Sequence, residues 1–184
     1  MEVLHDKRYT YSDYASWDTE ERYELIDGMP YVMKAPSETH QRISGNLYLQ
    51  LGNYLKGKHC RVYHAPFDVR LNVGSGDDTV VQPDIIVVCD RSKLSNNGYE
   101  GAPDFVIEIA SPSSAGNDRV LKFNQYLKTG VREYWIVDPD TGSVQACILQ
   151  NGKYVVSIYF ETATVPVHVL EGCEISLPDV FAEG

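Results

Sequence analysis

Gln82-Pro83-Asp84-Ile85-Ile86-Val87-Val88-Cys89 and, after a polar interval, Pro103-Asp104-Phe105-Val106-Ile107-Glu108-Ile109-Ala110 form the stretch whose reading decides the fold. Runs this continuous in Val, Ile and Phe read as strands covered on both faces. Asp84 opens the first run and Glu108 lies inside the second. An unpaired carboxylate in such a place costs several kcal/mol or is forced neutral. A divalent cation removes the penalty, and hard cations such as Mg²⁺ prefer carboxylate and carbonyl oxygens. Two plainer readings also fit: Glu108 reaches solvent at a strand end, or pairs with a buried arginine. Asp84 alone reads equally as a turn or cap acid. If the two strands share a sheet, the acids meet at one end and become a candidate metal site.

A helix over 118–129 follows, ending at Gly130, with Asn117 as candidate cap. Val120, Phe123 and Leu127 predict its core stripe, and Arg119, Lys122 and Tyr126 the stripe beside it. A lysine leaning over the strand ends could stabilise a developing phosphorane charge or position a water. The alternative is a solvated helix lysine. Upstream, Glu24 shares a strand face with Ile26, as a third ligand or an edge-strand acid. His40 opens a long helix, as a member of the site or a surface residue near the cap. No Walker or Rossmann fingerprint and no Gly-x-Ser-x-Gly elbow is present.

Outward from this centre the chain alternates element types. Thr10 and Asp13 suggest a capped short helix. Arg22–Ile26 and Met29–Met33 flank the hairpin signal Asp27-Gly28. Ile43, Leu47, Leu51 and Leu55 predict a helix over about 39–56. Strands are expected over 60–73, kinked at Pro66, and over 80–89, with 91–103 as a polar loop. After a strand over 133–137 the tail reads as hairpins, 144–149 with 154–160 around Asn151-Gly152, and an edge over 165–169. This is a mixed sheet flanked by helices, an α/β (α+β) domain over 1–184 with its core at about 20–139 and a hairpin extension over 140–184. Val155, Ile158 and Phe160 in the tail either cover a sheet edge or form a homodimer interface.

Composition sets bounds. The chain is long enough for one domain with a sizeable core, at 184 residues and 43% hydrophobic. It shows neither a bilayer-length apolar run nor the apolar segment of a signal peptide, so the cytoplasm is the expected location. A net charge of −10 argues against simple nucleic-acid binding, although it leaves room for a local basic face. Cys60, Cys89, Cys147 and Cys173 lack zinc-type spacing and are expected to be reduced and structural.

With these residues in place, the chain resembles the PD-(D/E)XK nuclease superfamily and, within it, the Uma-type branch of small bacterial proteins grouped with restriction endonucleases. The shared phrases are Tyr23-Glu24-Leu25-Ile26-Asp27-Gly28, Gln82-Pro83-Asp84, Pro103-Asp104-Phe105-Val106-Ile107-Glu108, Ser111-Pro112-Ser113 and Gly130-Val131-x-Glu133-Tyr134-Trp135. The resemblance implies a restriction-endonuclease-like fold around a central mixed sheet. It implies a Mg²⁺ (or Mn²⁺) site built from Asp84, Glu108 and the carbonyl of Ile109, with Glu24 matching the upstream acid. The superfamily places a lysine two residues after the second acid; here that residue is Ala110, and Lys122 supplies the amine from the helix. The implied activity is Mg-dependent hydrolysis of DNA phosphodiester bonds. The alternative is a catalytically impaired, dimeric nucleic-acid-binding or accessory module of the same fold, which the charge and Ala110 favour.

Overall fold

The computed structural model describes residues 7–111 and 117–183, with backbone alone at 117–119. The expected Asn117 cap and the Arg119 side chain therefore lie outside the described residues, as do Pro112, Ser113 and the rest of 112–116.

A short helix α1 (Tyr11–Ala15) opens the chain, with the expected capping box between Thr10 and Asp13. The hairpin β1 (Tyr23–Ile26) and β2 (Met29–Val32) turns at Asp27-Gly28, both with positive φ. The long helix α2 (Glu38–Leu55) starts where Ser37 Oγ accepts from His40 N. It buries Ile43, Leu47, Leu51 and Leu55, the stripe legible in the sequence. Each such side chain contributes about 1.5–3 kcal/mol when fully buried.

Next come β3 (Arg61–His64), β4 (Val69–Arg70), β5 (Val80–Val81) and β6 (Ile85–Val88). The expected single strands over 60–73 and 80–89 are each broken in two. β3 and β6 pair antiparallel in one sheet, while β4 and β5 pair antiparallel in another. Between β3 and β6 the chain thus changes sheet twice, at the cis Ala65-Pro66 bond and at Gln82-Pro83-Asp84. Pro83 has no N–H to continue a ladder. The two crossings lie side by side, with Ala65 N donating to Asp84 O at 3.0 Å.

The expected polar loop over 91–103 instead contains a 3₁₀ turn (Arg91–Lys93) and the small hairpin β7 (Leu94–Ser95) and β8 (Gly98–Glu100). β8 runs parallel to β4, which completes that sheet. Gly98, at φ 133°, has its backbone against the Asp68 carbonyl, where an added Cβ would sit 2.2 Å from the oxygen. Short elements of this kind carry little periodic signal.

β9 (Phe105–Ile109), α3 (Asn117–Thr129), β10 (Glu133–Asp138), β11 (Ser143–Gln150) and β12 (Lys153–Phe160) follow. β13 (Thr164–Pro166) and β14 (Glu174–Ser176) form a separate two-stranded sheet, and α4 (Leu177–Phe181), absent from the sequence reading, closes the chain. The large sheets run β2-β1-β5-β4-β8-β7 and β12-β11-β10-β9-β6-β3. In the second, only β9 and β10 are parallel, and α3 crosses between them. One face of this sheet packs on α2, α4 and the small sheet. The other packs on α3 and the first sheet through Ile86, Val106, Tyr126 and Tyr134.

Two expectations need correction. The predicted core stripe of α3 holds at Phe123, which packs on Tyr134 and Tyr154, and fails at Val120, which is 61% exposed, while Gln125 and Tyr126 are buried. The helix faces a carboxylate cluster, so its polar stripe turns inward. The cysteines are not all reduced either, because Cys60 and Cys89 form a disulfide. They are 29 residues apart, but the β3–β6 register pairs Arg61 with Val88, which puts the two cysteines across from each other one step beyond. Cys147 and Cys173 are buried thiols outside that disulfide.

Two tests follow from the architecture. Denatured, unreduced protein should titrate only the thiols of Cys147 and Cys173, and reduction should release those of Cys60 and Cys89 as well. Gly98→Ala should lower stability by more than about 1 kcal/mol in urea unfolding, since Ala meets both a forbidden φ and a backbone oxygen.

Candidate active site

The β6–β9 register pairs Ile85 with Ile107. One step further, Asp84 stands opposite Glu108, and residues opposite each other in an antiparallel pair point to the same face. The Asp84 carboxylate also ties the strands directly, with Oδ2 accepting from Ile109 N at 2.7 Å. The two acids therefore meet at the sheet's rim beside the crossings.

Glu24 comes from the other sheet. Its Oε1 accepts from Gln82 N at 2.7 Å, at the point where the chain leaves β5. Lys122 reaches in from α3, with Nζ 2.8 Å from Glu24 Oε1 and 3.1 Å from Glu108 Oε1. Tyr126, one turn on, donates to Glu108 Oε1 at 2.7 Å. Gln125 on the same face donates to Asp27 Oδ2 at 2.6 Å. The Lys122 and Glu24 side chains are 13% and 5% exposed, so solvent screens this pair weakly.

His40 belongs to the same cluster. Its Nε2 lies 3.2 Å from Asp84 Oδ2, while Nδ1 is buried with no partner among the described residues. The Ser37 cap fixes the first turn of α2, and His40 precedes the buried Ile43 and Leu47 by three and seven positions. That spacing was the sequence signal for its inward direction. Gln82 and Tyr126 are further members; helical spacing had put Tyr126 on the Lys122 stripe, whereas nothing in the sequence assigned Gln82 a role there.

The cluster lines a cleft of about 280 Å³, walled also by Arg22, Lys34, Gln41, His64 and Pro66. Burial pushes the Glu108 carboxyl up to about 7, with Asp84 and Glu24 adding to the rise and Lys122 and Tyr126 opposing it. Burial works against the charge on Lys122, but Glu108 and Glu24 outweigh it and raise the pKa, so the amine is an ammonium at neutral pH. For His40, burial is likewise outweighed, here by the hydrogen bond and charge of Asp84 and the charge of Glu108, and its pKa rises.

Glu24 and Glu108 therefore share the Lys122 ammonium, and Asp84 beside them is met by His40. No described residue donates a hydrogen bond to Asp84 Oδ1 or Glu108 Oε2. Among the described residues no three of His, Cys, Asp and Glu are gathered as a complete metal cage. Asp84 and Glu108, each with one carboxylate oxygen that no described residue bonds, make a partial, oxygen-rich set, which suits a hard cation that keeps some of its own waters.

The raised Glu108 carboxyl has a definite sign in stability. A carboxyl that titrates higher in the folded state takes up a proton on folding, so stability falls as pH rises from the ordinary glutamate value of 4.5 to about 7. Its slope is at most about 1.4 kcal/mol per pH unit. With chelator present, urea unfolding of the wild type between pH 5 and 7 should show this loss, and Glu108→Gln should flatten it.

A family model described as "Putative restriction endonuclease", Uma2, matches residues 11–178. An uncharacterised protein of Synechocystis sp. is 30% identical over 116 residues, 62% of this chain and 60% of its own length. The chain thus aligns with less than two thirds of that relative. A second uncharacterised Synechocystis protein is 25% identical over 143 residues, covering 75% of this chain and 79% of its own. The crystal structure of a "putative nuclease belonging to DUF820" from Anabaena variabilis superposes with a TM-score of 0.76 at 24% identity, over 94% of this chain and 97% of that one. That likeness is one of fold, the restriction-endonuclease-like mixed α and β arrangement.

Proposed function

The chain belongs to the Uma2 family, and from that premise we propose that it is a divalent-metal-dependent endonuclease hydrolysing DNA phosphodiester bonds. The observation that carries the reading is the meeting of Asp84 and Glu108 at the sheet rim with the Lys122 ammonium beside them.

Asp84 and Glu108 would hold the ion, with the Ile109 carbonyl as a third oxygen and His40 bracing Asp84. Bound Mg²⁺ or Mn²⁺ would polarise the scissile phosphate and lower the pKa of a coordinated water. Lys122, a fixed cation with a raised pKa, is unsuited to act as a base. Its role is to donate to a phosphate oxygen and offset the charge that grows there. Glu24 aims that amine and keeps it protonated, acting through Lys122 as a positioning residue. Arg22 and Lys34 on the cleft wall supply local positive charge in a chain of net charge −10.

Ala110 stands where the superfamily has its lysine, yet Lys122 lies within hydrogen-bond reach of the second acid. The amine is replaced from the helix. Supercoiled plasmid incubated with the protein and Mg²⁺ or Mn²⁺ should be nicked or linearised. Asp84→Asn and Lys122→Met, checked for folding by circular dichroism, should each cut at least about 100-fold more slowly. Equal cutting by all three would mark a contaminant. Calorimetric Mn²⁺ binding without cleavage of any DNA would leave the accessory-module reading.

A further inference from the structure

The outermost strand of the first large sheet, β2, walls the cleft. Its register with β1 sets Tyr31 opposite Glu24. Met33 N donates to Arg22 O at 2.8 Å, which continues the register and sets Met33 opposite Arg22. Residues opposite each other share a face, and so do residues two apart along a strand. Tyr31 and Met33 therefore lie on the face that carries Glu24, whose carboxylate holds the Lys122 amine. Tyr31 is half-buried, packed against the core between the sheets and also lining the cleft. Its ring meets no other aromatic ring, and its hydroxyl has no hydrogen-bond partner, among the described residues.

The fixed cations of the cleft are few. Besides Lys122 there are Arg22, whose Nε donates to Gln82 Oε1 at 3.2 Å, and Lys34, which is exposed and has no ion-pair partner among the described residues. A double helix carries one charge per about 1.7 Å of its axis, and a protein seated on it typically meets about 6–10 phosphates. Three cations in a chain of net charge −10 make a poor seat for that. Size agrees with charge. A cleft of about 280 Å³ is on the scale of one small ligand, and a duplex keeps the faces of its bases stacked out of reach of a side chain.

We propose that the cleft takes its DNA as an unpaired strand, with one base laid on Tyr31 and Met33 and the adjoining phosphate turned towards Lys122. This deepens the endonuclease reading and rests on it for the bond that is cut. An unpaired base presents a face that an aromatic ring can stack on whatever the sequence, and stacking then supplies affinity that phosphate contacts cannot. The Met33 thioether is a polarizable neighbour for the same base. Lys34 and Arg22 meet phosphates further along the strand. Tyr31 is thus a specificity-determining residue that selects strandedness rather than sequence. Negative supercoiling opens short stretches of duplex, so a supercoiled plasmid remains a substrate.

Fluorescence anisotropy of an end-labelled oligonucleotide tests the proposal, with Ca²⁺ in place of Mg²⁺ so that the strand stays intact. The single strand should bind at least about tenfold tighter than a blunt duplex of the same sequence, and its log K should fall against log salt with a slope of about −2. Tyr31→Leu fills much of the ring's space against the core but offers no stacking face, and should weaken single-strand binding roughly tenfold. Tyr31→Phe keeps the face and should rescue it. With Mg²⁺ or Mn²⁺, supercoiled plasmid should be nicked while the relaxed closed circle of the same sequence resists. Duplex bound as tightly as the single strand, a salt slope steeper than about −5, or Tyr31→Leu binding like the wild type overturns the proposal. Tight duplex binding with cutting of the relaxed circle overturns it and leaves the endonuclease reading standing. A single-strand preference that Tyr31→Leu abolishes, with no cutting by any metal, upholds the strand seat and overturns the endonuclease reading instead. Binding of neither form overturns both.

Discussion

One ammonium ion joins three parts of the fold. Lys122 on α3 touches Glu24 on β1, which belongs to the first large sheet, and Glu108 on β9, which belongs to the second. No other ion pair among the described residues connects the two large sheets with α3 in this way. Removing one partner of such a buried group costs about 3–5 kcal/mol, because the rest are left unbalanced. The geometry of the cleft therefore depends on a contact that is electrostatic rather than greasy, and the same contact fixes the protonation of the amine.

The cleft exists because two strands are split. Had the run 80–89 continued in one sheet, Asp84 would have been a mid-strand acid inside a closed layer. Instead the chain leaves the first sheet at Gln82, loses a ladder donor at Pro83 and enters the second at Ile85. The parallel break at Ala65-Pro66 opens the facing segment at the same level. Gln82 fits both environments: its backbone N–H serves Glu24, and its side chain takes donors from Arg22 and gives to Asp68 at 2.8 Å. Polar groups that would be orphaned by the divergence are each given a partner.

Much of this was legible before any coordinates. The four-residue recurrence from Ile43 to Leu55 and the Asn151-Gly152 turn each carry a period or a turn chemistry that tertiary context did not override. The site was legible for a different reason, since acids beside apolar runs are costly and ask for an explanation. What could not be read depends on who faces whom. The core stripe of α3 was assigned by apolar content, which misplaced Val120; Lys122 and Tyr126 were legible as the neighbouring stripe, but the burial of Gln125 beside them depends on the acidic surface they face. The Cys60–Cys89 bond required the β3–β6 register, which no local spacing reveals. The hairpin of β7 and β8 is too short to show a period.

A buried acid with a raised pKa is not by itself a mark of chemistry. Glu133 lies in the shared phrase Gly130-Val131-x-Glu133-Tyr134-Trp135 and is fully buried, and burial raises its carboxyl too. Its two oxygens are nevertheless spoken for. Oε1 accepts from the Trp135 indole at 2.8 Å and Oε2 from Val169 N at 2.9 Å. It pins the tail after β13 against β10, an architectural duty that explains why that phrase carries an acid. Glu108 differs in every respect that matters to reactivity. It lines an open cleft, its hydrogen bonds from described residues converge on one oxygen, and two other carboxylates push against it. An acid whose bonding capacity is filled builds structure; one whose second oxygen meets no described donor, with other carboxylates around it, is placed to bind a cation.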